Sequence, residues 1–293
     1  MKLLKFLGAA LFVPATSAAQ LEPVSDYGGT ATQVGMNVYI PDTVTDYPAL
    51  VVVVHSCGSS AEQYFSNSAV PWAKGSDGKG YITIWPSSPN SGGCWDVSST
   101  QSLTRDGGGD STAIANMITY ALATYGADPE RVYVTGGSSG AMMSNVLAAT
   151  YPDLIKAVSL YSGVPAGCFV SSSGAVAAWN NTCSGGQSIA TPEQWANVVL
   201  DMYPGYDGPR PKMQIWHGSA DRTLYPQNYE EKIKQWTAVF GVDQTPTNVQ
   251  ENTPEQSYTT SDYGENVQGI YAEGTGHSVL PHLEESEAWF GLV

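Results

Sequence analysis

Apolar, β-branched runs alternate with segments of helical period along most of this 293-residue chain. Strand candidates fall at 37–40, 49–55, 81–85, 132–135, 157–161, 213–217 and 268–273. Helix candidates fall near 111–125, 139–151, 192–202, 229–240 and 283–290. Leu50-Val51-Val52-Val53-Val54 is apolar without a break, as in a strand of a parallel sheet covered on both faces. Such alternation predicts an α/β fold: a mostly parallel sheet with helices on both faces, a three-layer sandwich. Asp110-Ser111, after three glycines, reads as a helix start with Asp110 as its cap. The Pro/Gly/Ser-rich stretches 86–93 and 163–186 follow strands. They are therefore expected at the carboxyl edge of the sheet, where open α/β folds bind ligands.

The pentapeptide Gly136-Gly137-Ser138-Ser139-Gly140 sits between the strand at 132–135 and the helix at 139–151. A G-x-S-x-G sequence in that context has the form of a nucleophile elbow, whose glycines let the chain turn sharply and lift one serine hydroxyl above the sheet. In a chain rich in Gly and Ser the bare pattern also arises as a plain turn. The strand and helix flanks give it weight. Ser138 is the candidate nucleophile.

A serine hydroxyl needs a histidine to take its proton and a carboxylate to orient that histidine. In the α/β-hydrolase arrangement the chain order is Ser, then Asp or Glu, then His. Of the four histidines, His55 and His217 end strands ahead of the last slot. His277 lies in Glu273-Gly274-Thr275-Gly276-His277, a Gly-rich turn after the final strand, whereas His282 opens the last helix and suits a surface or capping role. Asp221 follows the strand at 213–217 closely and precedes His277. Its competing reading is an Asx-turn residue that stabilises its own loop. Asp201, Asp207 and Asp243 have no strand immediately ahead. The oxyanion donors expected are the backbone N–H groups of Ser139 and of Cys57, the latter in the loop after His55.

Residues 1–19 have a basic start, an apolar stretch and small residues at Ser17-Ala18-Ala19, the layout of a secretory signal peptide. Residues 20–293 are then expected to form a single catalytic domain with no appended binding module, since the chain ends just after its last helix. The formal net charge of −15 becomes −17 once Lys2 and Lys5 are removed. So acidic a chain is no nucleic-acid binder and is repelled by anionic membranes. A secreted, extracellular monomer is expected. Four cysteines in that setting suggest two disulfides, with three connectivities open. Cys57–Cys94 is favoured if the strands at 49–55 and 81–85 are neighbours, and Cys168–Cys183 would close one Gly/Ser-rich loop. No Cys or His cluster has metal-ligand spacing, so no metal or cofactor is expected. Asn180 heads the only N-x-S/T sequon and is a glycosylation candidate. Trp179, in the 168–183 loop, and Trp95, next to Cys94, are candidate walls of a substrate pocket.

Taken in order, His55-Ser56-Cys57-Gly58, Gly136-Gly137-Ser138-Ser139-Gly140-Ala141-Met142-Met143, Trp216-His217-Gly218-Ser219-Ala220-Asp221 and Gly274-Thr275-Gly276-His277 resemble carbohydrate esterase family 1. That group is related to polyhydroxybutyrate depolymerases, and within it the chain is most similar to the fungal acetylxylan esterases. The resemblance spans essentially all of the chain beyond the leader. It implies Ser138, Asp221 and His277 as catalytic triad, Ser139 and Cys57 as oxyanion donors, and acetylated xylan or another plant cell-wall polysaccharide as substrate. Feruloyl esterase activity on the same scaffold is the alternative activity. An inactive, carbohydrate-binding relative is the alternative of a different class. Ser56 departs from the Gly common in relatives, which puts the Cys57 assignment in question.

Overall fold

The computed structural model describes residues 19–28 and 32–292. The expected leader lies outside the described residues except for Ala19. In chain order the first half contains β1 (Leu21–Val24), β2 (Gly35–Tyr39), β3 (Leu50–Val54), α1 (Ala61–Ser66), α2 (Val70–Lys79), β4 (Ile82–Ser87) and α3 (Asp110–Tyr125). Then come β5 (Val132–Gly137), α4 (Ser139–Thr150), β6 (Ala157–Tyr161), α5 (Asn181–Ser184) and α6 (Pro192–Asp201). The last part holds β7 (Lys212–Gly218), α7 (Gln227–Phe240), β8 (Asn248–Glu251), β9 (Tyr258–Asp262), β10 (Val267–Ala272) and α8 (Leu283–Phe290).

These strands form one sheet in the order β1-β2-β4-β3-β5-β6-β7-β10-β9-β8. The six central strands, β4 to β10 in that order, are parallel, and antiparallel strands close both ends. The α/β sandwich expected from the alternation is therefore present. β3 shows why its sequence lacks a period. Leu50, Val52 and Val54 enter one core with residues of α3, α4, α6 and α7, while Val51 and Val53 enter the other with Tyr64, Trp72 and Phe290. Both faces are dry, so neither set of positions can be polar.

The structure adds elements that the hydrophobic pattern did not predict. The edge strands β1 and β8 and the strand β9 beside the latter are short and carry polar or exposed residues, and α2 contains two glycines. Asp110 is the first residue of α3 rather than its cap: Gly109 holds the cap position, and the Asp110 carboxylate is turned inward.

Candidate active site

Ser138 stands alone between β5 and α4, with φ 53° and ψ −121°. A positive φ in a non-glycine residue costs of order 1–3 kcal/mol and persists only where its surroundings enforce it. Here the Ser138 N–H donates to the Tyr161 carbonyl at 2.8 Å, and its own carbonyl accepts the Met142 N–H at 3.0 Å. The flanking glycines are needed because α4 starts directly against β3. A Cβ on Gly140 would lie 2.1 Å from the Val54 carbonyl oxygen, and one on Gly136 would lie 2.6 Å from that of Gly140. The Ser138 side chain makes no capping bond to α4.

Because β7 and β10 are adjacent and parallel, the loops that leave their carboxyl ends run side by side. Ala220 N–H donates to the Thr275 carbonyl at 2.9 Å, and Ser219 N–H donates to that of Ala272 at 2.9 Å. This places Asp221 beside His277. Asp221 Oδ2 lies 2.7 Å from His277 Nδ1, and His277 Nε2 lies 2.8 Å from Ser138 Oγ. Oδ1 of the fully buried Asp221 accepts the N–H groups of Thr223 (2.8 Å) and Leu224 (3.0 Å). Burial alone would raise this carboxyl. The bond from His277 and the two backbone donors outweigh it and hold Asp221 below the usual carboxylate range. An ionised Asp221 only accepts, so His277 carries its proton on Nδ1 and turns a lone pair toward the serine hydroxyl.

The other two strand-end histidines do structural work. His55 Nε2 accepts the Ser88 N–H at 3.0 Å, and its Nδ1 donates to the Ser56 carbonyl at 2.8 Å, which joins the loops after β3 and β4. His217, set aside as a triad member by chain order, also sits against Asp221, its Nε2 3.4 Å from Oδ2. The four-residue spacing past a strand end was the available signal. His282 holds the N-cap position of α8 without a side-chain capping bond, and its ring stacks on Trp216 with centroids 4.7 Å apart.

Cys57 and Ser139 line the same recess as Ser138. Ser139 N belongs to the first turn of α4, where no intrahelical carbonyl reaches it. Both cysteine pairs are closed, Cys57–Cys94 and Cys168–Cys183. Ser56, the departure from Gly, points its hydroxyl at the Gly137 carbonyl at 3.0 Å and so clamps this loop to the elbow. A cavity of about 370 Å³ opens over Ser138 and His277, bordered by Tyr64, Tyr161, Trp179 and Leu280. A smaller recess of about 150 Å³ adjoins Ser138, walled by Trp95, Met142, Phe169, Trp179 and Leu224. Trp95 is buried, with its indole N–H on the His55 carbonyl at 2.8 Å. Trp179 is 53% exposed and edge-on to Phe169.

Asp96, which the sequence did not single out, ties these walls together. It accepts the Ala177 N–H at 3.0 Å from the Trp179 loop, while the neighbouring Ser98 hydroxyl accepts the Ala178 N–H at 2.8 Å. The Asn180 side-chain oxygen caps α5, accepting the Thr182 and Cys183 N–H groups, and its amide nitrogen donates to the Cys168 carbonyl at 3.3 Å. Among the described residues no group of three or more His, Cys, Asp or Glu side chains has the geometry to hold a metal ion.

The family described as esterase PHB depolymerase matches residues 34–256. Acetylxylan esterase A of Aspergillus ficuum is 52% identical over 280 residues, covering 95% of this chain and 92% of that protein. Acetylxylan esterase A of Emericella nidulans is 51% identical over 275 residues, covering 94% of this chain and 90% of that protein. The solved acetyl xylan esterase of Aspergillus awamori superposes with a TM-score of 0.92 at 50% identity, over 94% of this chain and 100% of that one. A feruloyl esterase module from Clostridium thermocellum shares the fold at a TM-score of 0.52 and 14% identity.

Proposed function

The chain belongs to the esterase PHB depolymerase family and, within it, to the acetylxylan esterases, and on that premise we propose that it is a secreted serine esterase that deacetylates xylan. Ser138 Oγ attacks the acetyl carbonyl carbon as its proton passes to His277 Nε2. The oxyanion that forms is held by the N–H groups of Ser139 and Cys57. Collapse breaks the bond to the sugar oxygen, which leaves with the proton from His277, and the acetyl group stays on Ser138. Water then attacks the acyl-enzyme with His277 again as base, releasing acetate and restoring the serine. Asp221 remains ionised throughout and orients the imidazole. This chemistry needs no metal or cofactor.

The observation that carries the reading is the unbroken chain Ser138–His277–Asp221 at 2.8 and 2.7 Å on three strand ends. The 150 Å³ recess beside Ser138 suits a small acyl group better than an aromatic one. Two closed disulfides are in keeping with an extracellular protein. Acetate released from acetylated xylan should far exceed the hydrolysis of methyl ferulate under the same conditions. A clear preference for the ferulate would move the enzyme to the feruloyl esterases.

A further inference from the structure

Behind the Asp221 carboxylate runs a second buried polar chain that the ester chemistry does not touch. His217, on β7, and Lys232, on α7, are both 0% exposed. His217 Nε2 lies 2.8 Å from the Leu224 carbonyl oxygen and 3.4 Å from Asp221 Oδ2. Its Nδ1 lies 3.5 Å from Lys232 Nζ. A carbonyl and a carboxylate only accept, so Nε2 must carry hydrogen. Burial, followed by the nearby lysine, pushes the His217 pKa down to about 3, so the ring is neutral and holds one proton. Nδ1 is then a bare acceptor, and Lys232 is its donor. The opposite tautomer would aim an N–H at the lysine and a lone pair at two oxygens.

We propose that Lys232 and His217 are positioning residues for Asp221: Lys232 fixes His217 as the Nε2–H tautomer, which grips the Leu224 carbonyl and backs the carboxylate that orients His277. The inference rests on the triad reading. Leu224 links the two parts, because its N–H binds Asp221 Oδ1 while its carbonyl is held by His217. The loop is thus fastened on both sides of the carboxylate. A buried lysine is costly for the fold, and an apolar side chain of the same length would pack there with less penalty.

The test begins with ¹⁵N NMR of the imidazole nitrogens in the intact protein at neutral pH, where four histidines keep assignment simple. The expected result is a protonated Nε2 and a bare Nδ1 on His217; the reverse tautomer or an imidazolium overturns the proposal, and no variant is needed to see it. Lys232→Met should then lower kcat on a small acetyl ester by about 10- to 100-fold with KM little changed. Lys232→Gln, which keeps a donor, should lie closer to the parent than Lys232→Met does. Parental kcat in folded Lys232→Met, or equal losses in both variants, also overturns it. Parental kcat in Lys232→Met alongside an inactive Ser138→Ala would remove this inference and leave the triad standing, whereas an active Ser138→Ala would remove the triad.

Discussion

Trp179 is an exposed indole at the mouth of the site, and its ring borders both the open cavity and the small recess beside Ser138. Its indole N–H donates to Asn181 at 3.0 Å and its ring meets the edge of Phe169, so the wall is held rather than loose. Removing it should enlarge the recess without disturbing Ser138, His277 or Asp221. Trp179→Ala is therefore expected to keep acetyl ester hydrolysis and to gain activity on longer or bulkier acyl esters, measured as kcat/KM along a series of p-nitrophenyl esters. An unchanged acyl preference in a stable variant would show that Trp95, Met142 and Phe169 alone set the limit. Trp95 is the poorer target, because its indole and backbone N–H groups hold His55 and Ser139 together with the wall.

At the scale of elements, α3 and the loop before it show a cost at a helix start. Asp110 Oδ2 accepts from Asn90 at 2.8 Å and from Asp96 N–H at 3.0 Å, while its Oδ1 has no partner among the described residues. Burial pushes its carboxyl up to about 6. A carboxyl raised in the fold binds its proton more tightly there than in the unfolded chain. Its favourable contribution is complete below about pH 4, the unfolded value, and is lost as pH rises through about 6. Asp110→Asn has no proton to lose. Its stability relative to the parent should rise across that window and level off above it, read as the difference in urea midpoint between pH 4 and pH 7.5. A difference that does not change with pH would contradict the account. Asp110 was only half legible in the sequence. The Gly-rich approach to α3 announced a helix start, but nothing local told that the carboxylate would turn back onto residues 90 and 96. The continuous β3 and the strand–turn–helix around Ser138 were legible because burial on both faces and backbone contact at Gly136 and Gly140 each restrict local residue choice. The outer strands β8 and β9 were not, since strands beyond the helices have one wet face and no need of an apolar run. The meeting of His217 with Lys232 was not legible for a related reason: the two come from separate elements, and no local pattern encodes it.

Across the whole molecule, the site is assembled from loops at positions 57, 95, 138, 179, 221 and 277, all delivered to one edge by the sheet order. The parallel core fixes where the loops start, and the disulfides limit where they wander. Closing 15 and 37 residues, the two bridges each remove about 3 to 4 kcal/mol of unfolded-chain entropy in the loop-closure picture. The strong negative charge opposes association with anionic surfaces. The proposed chemistry turns on one atom, Ser138 Oγ. A fluorophosphonate should add one equivalent to the protein, peptide mass spectrometry should place it on Ser138, and acetyl esterase activity should fall in proportion to labelling, while a folded Ser138→Ala variant should neither label nor retain more than roughly a thousandth of parental kcat. Activity that survives full labelling, or a label on any other residue, would contradict it.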